Sequence, residues 1–350
     1  MIFLVLIKMP RKRSRSKRSR SKRSRSKRSR SKRRSIKKNK DGIRYQGKVA
    51  LCFLVTKNLK NQAVWEKWMS GYEDYINIYT HVSGPEMRNK KFWDPLMWDN
   101  RIEKSGVKAT KTKWGTTSLI VAEGLLYKAA LKNKSNKYMC VISESGIPLW
   151  EFPEFYNRLF RYPNKSYLQT ETMRGGDEDL FLDCFPESLI PTSKRPIPKT
   201  SKQRDMRYWL WKHTHQWKIL NRWGARQFVN MIENKRWMDA YTNCFYQLGK
   251  DDPRLAADEV AYPNWIIYKF GPKAIDKHFR NYESTFVDFA KAGIHAKSYR
   301  NITKKMKEDM CLDKPFFARK FEHNPKLINQ IPVRCAFGVA KTKNTFVEFY

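Results

Sequence analysis

Residues 138–160 of the chain read YMCVISESGIPLWEFPEFYNRLF, and this stretch decides the fold. Its first five residues, 138–142, are apolar or aromatic and suit a buried strand. The polar loop Ser143-Glu144-Ser145-Gly146 follows, and Pro148 and Pro153 prevent the strand from continuing. Because ligands of open α/β sheets bind beyond the carboxyl ends of strands, this loop is the first candidate for a binding site. The alternative is a serine-capped loop that only leads into the next helix.

The segment before this stretch has the order strand, helix, strand. Residues 48–56 (KVALCFLVT) predict a first strand, residues 59–69 a helix, and residues 75–81 (YINIYTH) a second strand, which together indicate a βαβ unit. An amphipathic helix over residues 118–131 leads into the strand at 138–142. We therefore predict an α/β fold with a mostly parallel central sheet flanked by helices. The absence of G-x-G-x-x-G and Walker patterns argues against a dehydrogenase and a P-loop enzyme.

The first 47 residues differ in composition from the rest. Residues 12–31 are four copies of Lys-Arg-Ser-Arg-Ser, and the segment from Lys8 to Lys40 holds 20 lysines and arginines and no acidic residue. Such a segment repels itself and has nothing to bury, so we predict a disordered tail over residues 1–47 and a folded domain over residues 48–350. The tail is suited to nucleic acid or an anionic surface, and a solubilising role is the alternative.

The chain is basic throughout and has no evident membrane segment. Its formal net charge is +39, of which the tail supplies roughly half. The apolar start, residues 1–7, is too short to span a bilayer, and its basic residues follow the apolar run instead of preceding it as in a signal peptide. We therefore expect a soluble, cytoplasmic protein. No Cys-x-x-Cys pair occurs, and Cys52 and Cys140 lie in strand runs, where reduced core thiols are expected and a zinc site is not.

Acidic pairs occur at two places where chemistry is conceivable. Asp177 and Asp179 form an Asp-x-Asp pair, which in other proteins holds Mg²⁺ or Mn²⁺ on a nucleotide diphosphate. A solvated acidic turn is the alternative for this pair. Asp258 and Glu259 stand at the start of a predicted helix, where the helix dipole alone favours acidic residues.

Aromatic and basic residues alternate in two further segments. Four tryptophans lie between residues 209 and 223, interleaved with hydrogen-bonding side chains such as Gln216, and this pattern suits the stacking of a sugar or a base. Core packing of half of these tryptophans is the alternative. In the segment 315–321 (PFFARKF), Arg319 and Lys320 are set among aromatic residues, an arrangement that fixes cations where they can meet a phosphate.

Taken in order, these segments resemble one enzyme family. They are Trp114-Gly115 through Leu131, Ser143 to Pro148, Trp211 to Trp217 with Gln216-Trp217, Asp258-Glu259, Thr285 to Phe289, and Phe317 to Phe321. The same order is found in the Core-2/I-branching β-1,6-N-acetylglucosaminyltransferases and their plant relatives. The resemblance covers about residues 48–325.

The resemblance implies a GT-A-like nucleotide-sugar-binding fold and an inverting glycosyltransferase. The donor would be a UDP-sugar such as UDP-N-acetylglucosamine, the acceptor a glycan or glycoprotein, and no metal cofactor would be required. The residues that match the family's functional positions are Glu259 as the catalytic base, Lys320 at the diphosphate, Ser143, Glu144 and Ser145 at the nucleotide sugar, and Gln216 and Trp217 on the acceptor side. We place Arg319 with Lys320 on the donor side, because both can neutralise the departing diphosphate, and Asp258 on the acceptor side.

The chain departs from the family pattern in several places. Thr285 stands where animal members have an arginine beside the diphosphate, so either a second cation comes from Lys291, Lys297, Arg300 or Arg319, or there is none. His213, Thr214 and His215 replace the small residues that usually precede Gln216. The membrane anchor and disulfides of the familiar eukaryotic members are not visible in the sequence. A basic repeat tail on a soluble enzyme is typical of a large DNA virus or a microbe, with a virus factory or virion as the location if it is viral.

Two alternatives remain open at the level of sequence. The chain could transfer xylose or another sugar, with metal assistance from Asp177 and Asp179. It could also be an inactive fold that binds or packages nucleic acid through the basic tail.

Overall fold

The central sheet is built around the strand that the sequence places at its centre. In a computed structural model of the chain, β3 (Asn136–Ser143) pairs in parallel with β1 (Lys48–Val55), and β1 pairs in parallel with β2 (Ile76–Val82). All three strands are buried along nearly their whole length. Continuous apolar runs of this kind are typical of parallel strands that are covered on both faces.

The structure describes residues 42–56, 58–83, 108–172, 212–248, 256–289 and 296–335. Most of the predicted tail and the pair Asp177 and Asp179 lie outside these ranges, as does Lys291. The described helices are α1 (Gln62–Met69), α2 (Thr117–Lys132), α3 (Phe152–Leu159), α4 (Arg222–Glu233), α5 (Lys235–Leu248), α6 (Ala257–Phe270), α7 (Lys273–His278) and α8 (Lys304–Asp313). The remaining described strands are β4 (Ile147–Pro148), β5 (Ser166–Tyr167), β6 (Thr170–Thr172), β7 (Lys212–Thr214), β8 (Ile219–Asn221), β9 (Phe279–Arg280), β10 (Thr285–Val287) and β11 (Phe317–Arg319).

The predicted α/β class is confirmed, and the sheet is mixed. Six strands follow the order β2-β1-β3-β8-β5-β9, and β8 runs antiparallel to both of its neighbours, β3 and β5. Ile219 at the start of β8 lies opposite Cys140, whereas Asn221 at its end lies opposite Tyr138. The chain therefore enters β8 near the carboxyl end of β3 and runs back along it. The predicted βαβ unit corresponds to β1, α1 and β2, and the predicted helix at 118–131 to α2.

Helices cover the sheet on both faces. One hydrophobic cluster joins α2, α4 and α6 through side chains such as Tyr127, Phe228 and Tyr262. The other joins α1 and α3 to the opposite face through Trp65, Trp68 and Phe152, whose rings meet edge to face. Edge-to-face contacts of this kind add to the stabilisation from burial alone. The strands are thus held between two apolar layers.

A small second sheet attaches to the carboxyl ends of the central strands. It has the order β10-β11-β4, with β10 and β11 parallel and β4 antiparallel to β11. Because β4 follows the loop after β3 directly, this sheet joins β11 to the end of the central sheet. The fold consequently brings the segment at 315–321 next to the loop at 143–146.

Two of the cysteines are free, as predicted, and others form disulfides. Cys52 and Cys140 are free and buried. A disulfide joins Cys311 and Cys335, although the sequence shows no sign of disulfides, and Cys244 is also disulfide-bonded. A separation of 24 residues carries no recognisable spacing pattern, so only the tertiary fold could reveal the Cys311–Cys335 pair. Within the described residues, no helix is long and apolar enough to cross a membrane.

A fully buried ion pair joins α2 to the residue immediately before β8. The Lys218 ammonium donates to both carboxylate oxygens of Glu123 at 2.9 and 3.0 Å, and neither side chain is exposed to solvent. Tyr127 also donates to Glu123, at 2.8 Å. A buried charge is tolerated only when it is paired and hydrogen-bonded, so each member of this cluster depends on the others.

We expect the substitution Lys218→Met to lower the free energy of unfolding by about 3–5 kcal/mol, because it leaves the Glu123 carboxylate buried without a counter-ion. The double variant Lys218→Met/Glu123→Leu removes both charges and should recover most of that loss. Urea unfolding followed by tryptophan fluorescence measures both effects. A single variant within about 1 kcal/mol of the wild type would show that the pair is no stronger than a surface one.

Candidate active site

The loop Ser143-Glu144-Ser145-Gly146 is fixed in place at the carboxyl end of β3. The Thr56 amide donates to Glu144 Oε2 at 2.6 Å, and the Lys60 amide donates to the Glu144 carbonyl at 3.0 Å. The two serine hydroxyl oxygens lie 3.0 Å apart, and Ser143 and Ser145 are both buried. The loop is therefore tied to the segment after β1 before any ligand binds.

A pocket of about 790 Å³ opens beside this loop. Glu144, Lys60 and His323 contribute to its walls, together with residues of the turn after β1 and the start of α1. A slightly larger cavity of about 850 Å³ lies between α1 and the segment around Val333, and none of the predicted site residues lines it. We give more weight to the smaller pocket because it lies at the carboxyl ends of β1 and β3, where ligands of α/β sheets bind.

The second sheet brings two cations beside the loop at 143–146. The Phe321 amide donates to the Ser145 carbonyl at 2.9 Å, which places Arg319 and Lys320 directly beside the loop. The Arg319 guanidinium lies over the ring of Trp217, 4.4 Å from its centroid. Aromatic stacking of this kind holds a guanidinium in one orientation.

The electrostatics of both cations follow from their surroundings. Burial lowers the pKa of the Arg319 guanidinium to about 10, although the negative charges of Asp258 and Glu259 favour its charged form. Arg319 consequently remains a cation near neutral pH. Burial also lowers the pKa of the Lys320 ammonium, and the nearby positive charges of Arg319 and Lys60 lower it further. An anion bound between these groups would relieve their repulsion.

The acidic pair at the start of α6 faces these cations. Asp258 is buried, and burial together with the neighbouring charge of Glu259 raises the pKa of its carboxyl to about 7. Among the described residues, Asp258 Oδ1 has no hydrogen-bond partner. The Glu259 side chain is 24% exposed, so its carboxylate is accessible to a ligand. The helix start thus carries one acid held inside the protein and one that reaches the surface.

His213 contacts the exposed member of this pair. Its Nε2 atom lies 2.9 Å from Glu259 Oε2. The strand β7, which carries His213, is attached to α6 because Asn264 accepts a hydrogen bond from the Lys212 amide and donates one to the Lys212 carbonyl, both at 2.9 Å. Burial lowers the pKa of the His213 imidazole, but the hydrogen bond and charge of Glu259 outweigh burial and raise it above its ordinary value.

The predicted site residues that the structure describes come together at one end of the fold. Arg319 lies within electrostatic range of Glu144, Asp258 and Glu259, so one cation is influenced by both the donor-side loop and the acidic pair. Trp217 lies beneath Arg319, and the carbonyl of its neighbour Gln216 accepts a hydrogen bond from Lys218 at 2.8 Å. Three of the four candidate second cations are described. Lys297 is half-exposed and lies 3.7 Å from Asp288, Arg300 is exposed, and Arg319 alone is shown near the acidic pair.

Sequence reasoning missed two parts of this site. The bond from His213 to Glu259 joins residues 46 positions apart, and the pair of Glu123 with Lys218 joins residues 95 positions apart. The only sequence signal for the first was the replacement of small residues by His213 and His215. In the described part of the chain, no group of three or more histidine, cysteine, aspartate or glutamate side chains could hold a metal ion.

An α/β sheet with fixed cations near the carboxyl ends of its strands is an arrangement that suits an anionic ligand. The model of the Core-2/I-branching enzyme family matches residues 49–311, well over half of the chain. The chain therefore belongs to this family and is a glycosyltransferase. The GT-A-like nucleotide-sugar-binding fold is the one that this membership implies.

The chain also has a structural likeness to the crystal structure of mouse xyloside xylosyltransferase 1 in its apo form. The sequence identity is 8% and the TM-score is 0.35, and the match covers 79% of this chain and 97% of the other. At this score the likeness carries no further conclusion. No curated protein matches the sequence.

The buried carboxyl of Asp258 predicts a specific dependence of stability on pH. Its pKa of about 7 in the folded state exceeds the ordinary value of 3.8, so the folded protein binds this proton more tightly than the unfolded chain. The free energy of unfolding should therefore fall as the pH rises from about 4 to about 7, by up to about 4 kcal/mol from this group. The variant Asp258→Asn should lack that part of the slope in urea unfolding at a series of pH values. Parallel slopes in the two proteins would contradict the assignment.

Proposed function

We propose that the chain transfers a sugar, N-acetylglucosamine, from a UDP-sugar to a glycan or glycoprotein acceptor with inversion at the anomeric carbon. The observation that carries the proposal is that Arg319 and Lys320 lie beside the loop at 143–146, while Arg319 is also within electrostatic range of Glu259. A single-displacement transfer needs a base on one side of the sugar and positive charge on the other. These residues supply both, and family membership supplies the reaction class.

Glu259 is the proposed general base. As the acceptor oxygen attacks the anomeric carbon, its proton passes to the Glu259 carboxylate. The bond between the anomeric carbon and the diphosphate oxygen breaks, and its electron pair leaves with UDP. Support for this role comes from the partial exposure of the carboxylate and from its hydrogen bond to His213, which holds one oxygen and leaves Oε1 for the acceptor.

Arg319 and Lys320 are the proposed partners of the leaving diphosphate. Fixed cations stabilise the developing negative charge without moving during the reaction. Arg319 lies on β11, two residues beyond Phe317, which pairs with Thr285 of β10. The chain can therefore supply from β11 the second cation that animal members supply at the position of Thr285. Under this proposal the diphosphate is neutralised by protein cations and needs no divalent metal cofactor.

The remaining residues are assigned by their places around this centre. We assign Ser143, Glu144 and Ser145 to the nucleotide sugar, because they lie together at the carboxyl end of β3, where Glu144 lines the pocket. We assign Gln216, Trp217 and Asp258 to the acceptor side. Their support is that the Trp217 ring packs on the Arg319 guanidinium, that Gln216 precedes Trp217, and that Asp258 precedes Glu259 at the start of α6.

We expect Glu259→Gln to reduce the turnover number for sugar transfer by about 10²–10⁴, because the amide cannot accept the acceptor proton. The measurement is hydrolysis and transfer from a panel of UDP-sugars, including UDP-N-acetylglucosamine and UDP-xylose, with and without EDTA. The matched control is Glu233→Gln, which alters an exposed carboxylate paired with Lys128 on the helices α4 and α2. Donor cleavage that survives EDTA and is lost in Glu259→Gln supports the proposal and identifies the sugar.

Two outcomes of this experiment would contradict it. Loss of activity with EDTA alone would assign diphosphate neutralisation to a metal, with Asp177 and Asp179 as the first candidates. Undiminished transfer by Glu259→Gln would remove Glu259 as the base.

Removal of the Lys320 charge should affect the leaving group. We expect Lys320→Met to lower the turnover number by about 10²–10³, the typical cost of losing one group that stabilises transition-state charge. Lys128→Met, which removes an exposed lysine from a surface ion pair, is the control. If Lys320→Met raises the KM for the donor and leaves the turnover number unchanged, Lys320 contributes only to ground-state binding.

A further inference from the structure

His213 is the one described side chain that the structure shows hydrogen-bonded to the carboxylate of Glu259. Its strand, β7, is fixed from two sides. Asn264 of α6 bonds both backbone groups of Lys212, and β6 pairs with β7 so that Glu171 lies opposite His213. Because Asn264 and Glu259 belong to the same helix, the distance between His213 and Glu259 is set by a rigid connection. The contact is consequently fixed by the connection between β7 and α6, and it does not depend on how two surface side chains happen to lie.

We propose that His213 is a positioning residue for Glu259, which holds the carboxylate through Oε2 and controls its basicity through its own charge. The inference rests on the proposed function of Glu259. When the imidazole is neutral, its Nε2–H donates an ordinary hydrogen bond, and Oε1 remains free to take the proton of the acceptor hydroxyl. When the imidazole is protonated, the charge-assisted bond stabilises the carboxylate and weakens it as a base. Transfer should therefore be faster above the pKa of His213 than below it.

The charges around His213 come from each element that packs against it. Glu259 and Asp258 face it from α6, Glu171 faces it from β6, and His215 lies beyond the end of β7. The three acids favour the imidazolium, whereas burial opposes it. His215 is different, because burial lowers the pKa of its imidazole. Its ring stacks against Phe289, with ring centroids 6.2 Å apart. Of the two histidines, His213 alone combines the direct bond with the raised pKa.

The direct test is the titration of His213 by NMR, read from its imidazole Cε1–H signal. In the wild type, His213 should titrate above its ordinary pKa of 6.5. In Glu259→Gln the carboxylate is gone while burial remains, so the midpoint should fall below that of the wild type, by about one unit or more. An unchanged midpoint would overturn the proposal. This measurement does not depend on activity, so it tests the pair even if Glu259 is not the base.

The kinetic test is the pH profile of sugar transfer in His213→Gln. The carboxamide keeps a neutral N–H donor at a similar reach but does not titrate. In the wild type, the turnover number should drop about tenfold or more as the pH falls through the pKa of His213. In His213→Gln this decrease at low pH should be absent. Above the pKa of His213, the turnover number of the variant should stay within about threefold of the wild-type value. The variant His213→Ala, which loses orientation as well, should be slower than His213→Gln at every pH, with little change in either KM.

The matched control is His278→Gln. His278 lies on α7, where its ring stacks on Trp223 with centroids 3.9 Å apart. This variant should show the same decrease in turnover number at low pH as the wild type. If His213→Gln also shows this decrease at low pH, the proposal is wrong. If Glu259→Gln proves fully active while the NMR midpoint still shifts, the pair exists but Glu259 is not the base, and the proposed function fails separately.

Discussion

The buried ammonium of Lys218 fixes the geometry on which the site depends. It binds both oxygens of Glu123 and the carbonyl of Gln216, so the short segment from Gln216 to Lys218 is anchored to α2 deep in the core. Between these anchors, the Trp217 carbonyl accepts a hydrogen bond from the Ser284 hydroxyl at 2.7 Å. The Trp217 ring in turn supports the Arg319 guanidinium. An interaction in the apolar layer is thus transmitted through one tryptophan to a cation at the edge of the sheet.

The charges at this edge balance each other only in part. Arg319 is largely buried, which is costly for a cation, and the nearby carboxyl groups offset that cost. Asp258 has a pKa of about 7, so near neutral pH a substantial fraction of it is uncharged. Arg319 is therefore stabilised without being fully neutralised. A cation in that state retains attraction for a diphosphate, whereas a tight, fully ionised pair with an acid would have to break first.

Much of the fold followed from local sequence patterns. The strands β1, β2 and β3 and the helices α1 and α2 are marked by apolar runs and by helical periodicity, which depend only on neighbouring residues. The place of Asp258 and Glu259 at a helix start was predictable for the same reason. The direction of β8 was not, because a strand of three residues has too few positions to show a pattern. The disulfide between Cys311 and Cys335 likewise depends on where α8 and the segment after it meet in space.

The parts of the site that the sequence did not reveal are contacts between distant residues, and they share a physical character. Each joins a charged or titratable side chain to a partner that appears only when two elements pack: Lys218 with α2, and His213 with α6. A motif read along the chain identifies the residue types that can do the chemistry. The partner residue that sets the charge or orientation of each of these side chains depends on the tertiary fold. At His213 this matters most, because the residues there depart from the resembled family while the acid that His213 contacts matches it. The catalytic group that we propose thus has a titratable neighbour, and the carboxylate of Glu259 raises the pKa of that neighbour.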